Sequence, residues 1–452
     1  MVRESTTTTP SSGASSCAMS PTRPRRRPSP APLAPLLLPL LLLLLAGAGP
    51  RDAHAAARIF EDDALLGSDL TTVVKEVRDN RVRPDGAAAA GASRTESELL
   101  LVHVLFRHGD RTPDPPSYPN DPYANFTYEP VGLGALTPAG KRTEYRIGQF
   151  LRQRYGDFLG GYRAGLAAAR TTDWPRTKDS MALVLAGLFP PAQQDEWSGS
   201  DSRGEEATLG RLWMPIASES TPRDQDKLLY MWDVPCPAYD RQYAAVLESP
   251  AFQKQFRTAN AALIAYLEKH SGGKINTPED VYNIYQALLA QQGFNLTLPS
   301  WTSEVFPDKM KPLTALYFEL DAYNRQMQRL RAGPLLKRML RHSVAKSRGL
   351  LRPAERKLYL YAAHDNNVSA LLQALRVWDH TLPPYGTAVI VEVRRTAAGQ
   401  VGVEMYLRNS TTTDDVSPLV MPECEHFCPL NRFVQLTSDV IPNDWDAECQ
   451  GE

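Results

Sequence analysis

Beyond residue 48 the chain has no apolar run able to cross a bilayer, no surplus of charge, no internal repeat and few cysteines. Each lack excludes something. A formal net charge of −1 leaves no global field to recruit nucleic acid or anionic lipid. Five cysteines in 452 residues are too few for a disulfide-dense scaffold. Cys424 and Cys428 flank His426, but no second CxxC-type pair completes a metal set, so no metal and no cofactor are expected.

What is present begins with a leader. Arg23, Arg25, Arg26 and Arg27 precede a leucine-rich run from Ala34 to Ala48, with small residues just beyond. Basic flank, short apolar core and small residues read as a secretory signal over residues 1–55, cleaved after Ala55 or earlier after Ala48. Translation from Met19 would give a more ordinary length and discard Cys17. A retained signal anchor is the rival reading, opposed by Pro39 and by a core shorter than the roughly 20 residues of a span. Export leaves Cys236, Cys424, Cys428 and Cys449, enough for two disulfides in three possible pairings. The four-residue spacing of Cys424 and Cys428 suits a local loop, which leaves Cys236 with Cys449. Sequons at Asn125, Asn295, Asn367 and Asn409 fit a secreted glycoprotein.

Residues 56–97, with the tract Gly86 to Ser93, read as a linker or pro-segment. The remaining region, 98–452, exceeds what one core usually serves, so two lobes are expected. Leu99 to Phe106 and Lys357 to Ala363 read as buried strands, Ala167 to Thr172 as a weaker one. Thr137 to Leu159, Lys178 to Leu188 and Asn367 to Leu375 read as helices, the first opened by a capping threonine and a proline. Thr387 to Arg394 and Val401 to Asn409 read as a hairpin. Strands separated by helices predict an α/β fold, a mostly parallel sheet flanked by helices. A smaller helical domain is expected as an insertion at about 225–345.

In open α/β sheets, ligands bind beyond the carboxyl ends of strands. Two such ends carry unusual polar residues: Arg107-His108-Gly109-Asp110-Arg111 after the first strand, and His364-Asp365 after the "LYLYAA" run. A third, Thr171 to Thr177, adds Arg176. Three guanidinium groups and two imidazoles around one point suit a phosphate-sized dianion. Histidine is a competent nucleophile toward phosphorus, and an aspartic acid can protonate a leaving oxygen. The plainer reading is a solvated loop with Asp365 as a helix cap. Seven ordered residues, "RHGDRTP", at one strand end and "AAHDNN" at another are too much for that.

"RHGDRTP" and "AAHDNNV" resemble the two signature segments of the histidine acid phosphatase family, in its prostatic, lysosomal and venom branch. The resemblance runs from Leu99 to Cys449 and includes "LTPAGKRTEYRIGQFLRQRY", "RTTDWPRTKDSM", "LLYMWDVPCPAY", "FNLTLPSW", "LPPYGT" and "VIPNDWDAEC". It implies that His108 becomes phosphohistidine, that Arg107, Arg111, Arg176 and His364 hold the phosphoryl oxygens, and that Asp365 is the general acid. It also implies that Arg152 lines the mouth of the pocket. Three features depart from the family pattern: a third disulfide has no cysteines here, Trp174-Pro175 replace small or acidic residues, and the chain ends three residues after Cys449, without the membrane span of the lysosomal member.

The expected activity is therefore exported, metal-independent hydrolysis of small phosphate monoesters at acidic pH. No nucleic-acid partner and no stable membrane anchor are expected. A lysosomal lumen destination and a homodimer remain open. Rival readings are a phytase of the same fold, disfavoured because the middle region has no surplus of Lys and Arg, and an inactive binding protein, disfavoured because His108, Arg111 and Asp365 are all retained. A mutase-like transferase is disfavoured by export and by Asp365. Asn125, Asn295 and Asn409 are expected to carry glycans, whereas Asn367, two residues past Asp365, is expected to stay bare.

Overall fold

The computed structural model describes residues 97–192, 197 and 209–451. The expected signal and the expected linker up to residue 96 lie outside the described residues.

Strand β1 spans Glu98–Arg107, and its side chains alternate between two faces. Leu101 and Leu105 enter one apolar cluster, whereas Val102, Val104 and Phe106 enter another. Helix α1 follows at Pro138–Leu159; Thr137 caps it, its side chain accepting from Gly140 N at 3.0 Å. Then come β2 (Ala167–Thr171), α2 (Pro175–Leu188) and the short β3 (Glu219–Ser220). Helix α2 starts three residues before the expected Lys178, because Pro175 takes a first-turn position where its missing N–H costs nothing. A helical stretch follows: α3 (Pro237–Glu248), α4 (Ala261–Ser271), α5 (Pro278–Gly293), α6 (Met310–Asp321), α7 (Arg325–Arg331) and α8 (Gly333–Ser347). The chain then forms β4 (Leu358–Ala363), α9 (Asp365–Ala374), the hairpin β5 (Ala388–Arg395) and β6 (Val401–Arg408), β7 (Ser417–Leu419), β8 (Cys428–Pro429), α10 (Leu430–Thr437) and α11 (Trp445–Gln450).

The sheet runs β3-β2-β4-β1-β5-β6-β7, with β8 against β6. Strands β2, β4 and β1 are parallel neighbours, and β5 turns antiparallel to β1. This is the expected α/β sheet, parallel where the unusual strand ends lie. Helices α1 and α2 cover one face through Ile147, Leu151, Met181 and Val184. Helices α8, α9 and α10 cover the other through Leu336, Leu340, Leu371 and Phe433. The expected helical insertion is therefore too long at its C-terminal end: α8 belongs to the sandwich, since its apolar face packs on the sheet. A separate cluster of Phe252, Leu267, Val281, Leu288, Leu313 and Leu320 forms the helical lobe from α4, α5 and α6, with Tyr118 from the loop after β1.

The disulfides are Cys236–Cys449 and Cys424–Cys428, the expected pairing. The first ties the residue before α3 to α11 and sits in its own cluster with Tyr239, Met327 and Leu330. Closing a long loop, such a bridge typically contributes about 2–4 kcal/mol.

One side chain in β1 works against the core. His103 is fully buried, stacked on Tyr359 with centroids 5.1 Å apart, and its Nδ1 has no hydrogen-bond partner. Burial, helped by Arg338, depresses its pKa to about 3. The unfolded chain binds this proton near pH 6.5, so stability is fully present above that value and is lost as pH falls toward 3. His103→Phe keeps the stacking and removes the titration. We expect urea unfolding across roughly pH 3 to 7 to show a shallower acid loss for the variant; parallel curves would disprove the assignment.

Candidate active site

The carboxyl ends of β1, β4 and β2 meet at one cavity of about 560 Å³. It is lined by His108 and Arg111 from the turn after β1, His364 and Asp365 after β4, and Arg176 at the start of α2. Residues far apart in sequence become neighbours because β4 lies between β1 and β2.

Backbone packing explains the glycine of the turn. A Cβ on Gly109 would stand 2.6 Å from Gly140 O, and a Cβ on Gly140 would stand 2.1 Å from Asp110 O. The turn and the first turn of α1 thus touch main chain to main chain. Thr137 N donates to Asp110 O at 2.9 Å, so the capping residue of α1 also anchors the turn.

His108 is 3 % exposed. Arg176 Nε, which can only donate, lies 3.2 Å from His108 Nε2, so Nε2 accepts and carries no proton. The proton sits on Nδ1, which donates to Gly109 O at 2.9 Å. Burial first, then Arg176, His364, Arg107 and Arg111, holds the imidazole well below its usual pKa. His364 is lowered the same way, by burial and then the three arginines. In both rings this favours the neutral form, the one that leaves the Nε2 lone pair of His108 available.

The arginines divide into two groups. Arg111 and Arg176 line the cavity beside His108, and Asp114 bridges them. Arg107 stands behind it. Its Nη2 is 2.8 Å from Asp365 Oδ2, its Nη1 donates to Pro383 O at 2.6 Å, and its guanidinium lies 4.0 Å above the Tyr385 ring. Arg107, expected to hold phosphoryl oxygens with the other two, instead meets the site through Asp365. Trp174-Pro175 do not misdirect Arg176: Trp174 precedes α2, and the guanidinium stacks on its ring at 4.5 Å.

His364 precedes α9 and its Nε2 is 3.0 Å from Thr172 Oγ1. Asn367 accepts from His364 N at 3.1 Å and donates to Leu229 O at 2.9 Å. Asp365 opens α9, and its Oδ2 also accepts from Tyr282 Oη at 3.1 Å. Helices α2 and α9 both present their N-terminal ends here, which favours an anion.

Arg152 is not part of this arrangement, contrary to expectation. Its Nη1 donates to Gly160 O at 2.6 Å, at the far end of α1. The N-terminal end of α1 abuts the site, and about 14 residues of helix separate the two by about 21 Å. Sequence reasoning also missed Tyr282, Thr172 and Asp114. Tyr282 carries no local motif; Thr172 lies within the segment Thr171 to Thr177, and Asp114 directly follows "RHGDRTP".

Residues 98–417 match the model of the histidine phosphatase superfamily (branch 2), and the chain belongs to that family. It is 35% identical over 359 residues to venom acid phosphatase Acph-1 of Apis mellifera, covering 78% of this chain and 88% of that one. Prostatic acid phosphatase of Homo sapiens is 36% identical over 361 residues, at 78% and 88% coverage. Lysosomal acid phosphatase of Rattus norvegicus is 35% identical over 359 residues, at 78% and 80%. Among solved structures, the phytase of Klebsiella sp. ASR1 superposes with a TM-score of 0.58 at 18% identity, over 77% of this chain and 98% of that one, a likeness of fold.

The close approach of Gly140 gives a test of positioning. Gly140→Ala should push the turn off α1 and lower kcat by about 10²-fold, the cost typical of a misplacement near 1 Å. Gly161→Ala, where an added Cβ meets nothing within 4 Å, should leave kcat unchanged. Equal rates for the two folded variants would refute the packing argument.

Proposed function

We propose that this exported chain hydrolyses small phosphate monoesters in two displacements at His108. Phosphoric monoester hydrolysis follows from its family and its acid phosphatase relatives. The observation that carries the residue roles is the fixed tautomer of His108: an unprotonated Nε2 that accepts from Arg176, in a cavity lined also by Arg111 and Asp365.

In the first step Nε2 attacks phosphorus and a P–N bond forms as the P–O ester bond breaks. The Asp365 carboxyl transfers its proton to the departing oxygen. In the second step water attacks the phosphohistidine, Asp365 takes the water proton, and the P–N bond breaks to release phosphate. Arg111, Arg176 and His364 hold the phosphoryl oxygens, and Arg107 with Tyr282 positions Asp365. Charge developing on the equatorial oxygens meets preorganised donors, usually the largest contribution in such sites.

Substrates with one phosphate fit better than a hexaphosphate. A polyphosphate needs cations around a whole cleft, whereas the cavity lining that includes Lys274 also includes Asp114, Glu279 and Asp280. Export is supported by the leader, by the two disulfides, and by exposure of Asn125, Asn295 and Asn409 as glycan acceptors. Asn367 is buried and hydrogen-bonded at both ends of its amide, which suits a bare asparagine. No helix among the described residues is long and apolar enough to cross a membrane.

His108→Ala should lower kcat by at least about 10³-fold, since no acceptor replaces the imidazole. Rapid alkaline quench of the native protein with labelled substrate should trap acid-labile, base-stable phosphate on His108. Label on serine, or none, would sink the mechanism. Asp365→Asn should lower kcat/KM, which reports the first displacement, by about 10²–10⁴-fold for an alkyl substrate such as glycerol phosphate, and far less for p-nitrophenyl phosphate, because nitrophenolate leaves unaided. Asparagine caps a helix about as well as aspartate, so a purely structural role predicts equal slowing of both.

A further inference from the structure

Asp114 has no place in the two displacements, yet it touches two of their residues. One carboxylate oxygen lies 3.1 Å from Arg111 Nη2 and the other 3.2 Å from Arg176 Nη1. The guanidinium side chains are 7 % and 8 % exposed, whereas the Asp114 side chain is 38 % exposed. It lines the same cavity as His108.

The carboxylate is held there by its loop. Pro113 and Pro115-Pro116 flank it and restrict the backbone on both sides. Gly134 N donates to Pro113 O at 2.9 Å, and Thr112 N donates to Ala135 O at 3.0 Å. A Cβ on Gly134 would stand 2.7 Å from Asp114 Oδ1, so the glycine leaves room for the carboxylate. Gly134 also has φ +65°, a conformation that suits glycine.

Two guanidinium groups that bind a phosphoryl group offer it the donors and the charge that Asp114 already engages. Inorganic phosphate, the product of each turnover, carries the same recognition group as the substrate. Arginines with no opposing charge would bind substrate, product and transition state alike, and uniform binding adds nothing to turnover. We propose that Asp114 is an internal counter-anion of the phosphate site. It keeps Arg111 and Arg176 aimed at His108 while weakening their hold on free phosphate, so that product leaves. Asp114 is thus a positioning residue that acts through the two arginines. The inference rests on the phosphatase reading of the site.

The test compares the native protein with Asp114→Asn and Asp114→Glu at one pH and ionic strength. It measures the inhibition constant of inorganic phosphate against p-nitrophenyl phosphate, and phosphate binding by calorimetry. Asp114→Asn should tighten phosphate about tenfold, or about 1.4 kcal/mol, and Asp114→Glu should stay near the native value. Asp114→Ser, which also drops the charge, carries the same expectation should the asparagine variant not fold. Phosphate binding unchanged or weaker in a variant with native melting temperature would overturn the counter-anion and leave Asp114 as a brace. A native protein that neither turns over nor binds phosphate would overturn the phosphatase reading together with this one.

Discussion

Three guanidinium groups lie buried beside two neutral imidazoles, and the whole site depends on how their charge is met. Arg107, Arg111 and Arg176 are each at least nine-tenths buried, a placement that is costly unless each cation is paired. Asp365 pairs with Arg107 at the back, and Asp114, one charge against two, pairs with Arg111 and Arg176 at the mouth. The surviving positive field is aimed at the Nε2 side of His108. Burial first, and then the same field, holds both histidines well below their usual pKa and favours their neutral forms. A pair of carboxylates therefore fixes the balance between an anion site and an unstable cluster of cations.

Geometry holds that balance in place. The turn after β1 lies against the first turn of α1 with no side chain between them, at Gly109 and Gly140. Helix α2 brings Arg176 from one flank through Pro175 and the Trp174 ring, and α9 brings Asp365 from the other. The helical lobe closes the site from above: Tyr282 of α5 reaches Asp365, and Tyr118 ties the loop after β1 into the core of α4, α5 and α6. That lobe holds by aromatic and aliphatic packing, and beside it the Cys236–Cys449 bridge ties the start of α3 to α11.

What is legible in the sequence is what is local. The strands, the capped helix at Thr137, the hairpin and the ordered segments "RHGDRTP" and "AAHDNN" are local patterns. They suffice to put His108, Arg107, Arg111, Arg176, His364 and Asp365 at or beside strand ends. The disulfide pairing is legible because Cys424 and Cys428 are close enough for a short loop. Arg152 escapes such reasoning, because a position on a helix says nothing about which end of that helix meets the site. Helix α8 reads as part of the insertion because an apolar helical stripe looks the same whether it packs on a sheet or on other helices.

Residue types, their order and their spacing were enough to place a set of arginines, two histidines and an aspartate at the ends of parallel strands. Packing alone decided the rest, because it depends on atoms distant in sequence. The tautomer of His108 comes from Arg176, 68 residues away. The position of Asp365 comes from Arg107 and Tyr282, and the assignment of Asp114 to two arginines comes from a loop that Gly134 allows to close. Short-range propensity writes elements, whereas charge compensation and the direction of a lone pair exist only once three strand ends share one cavity.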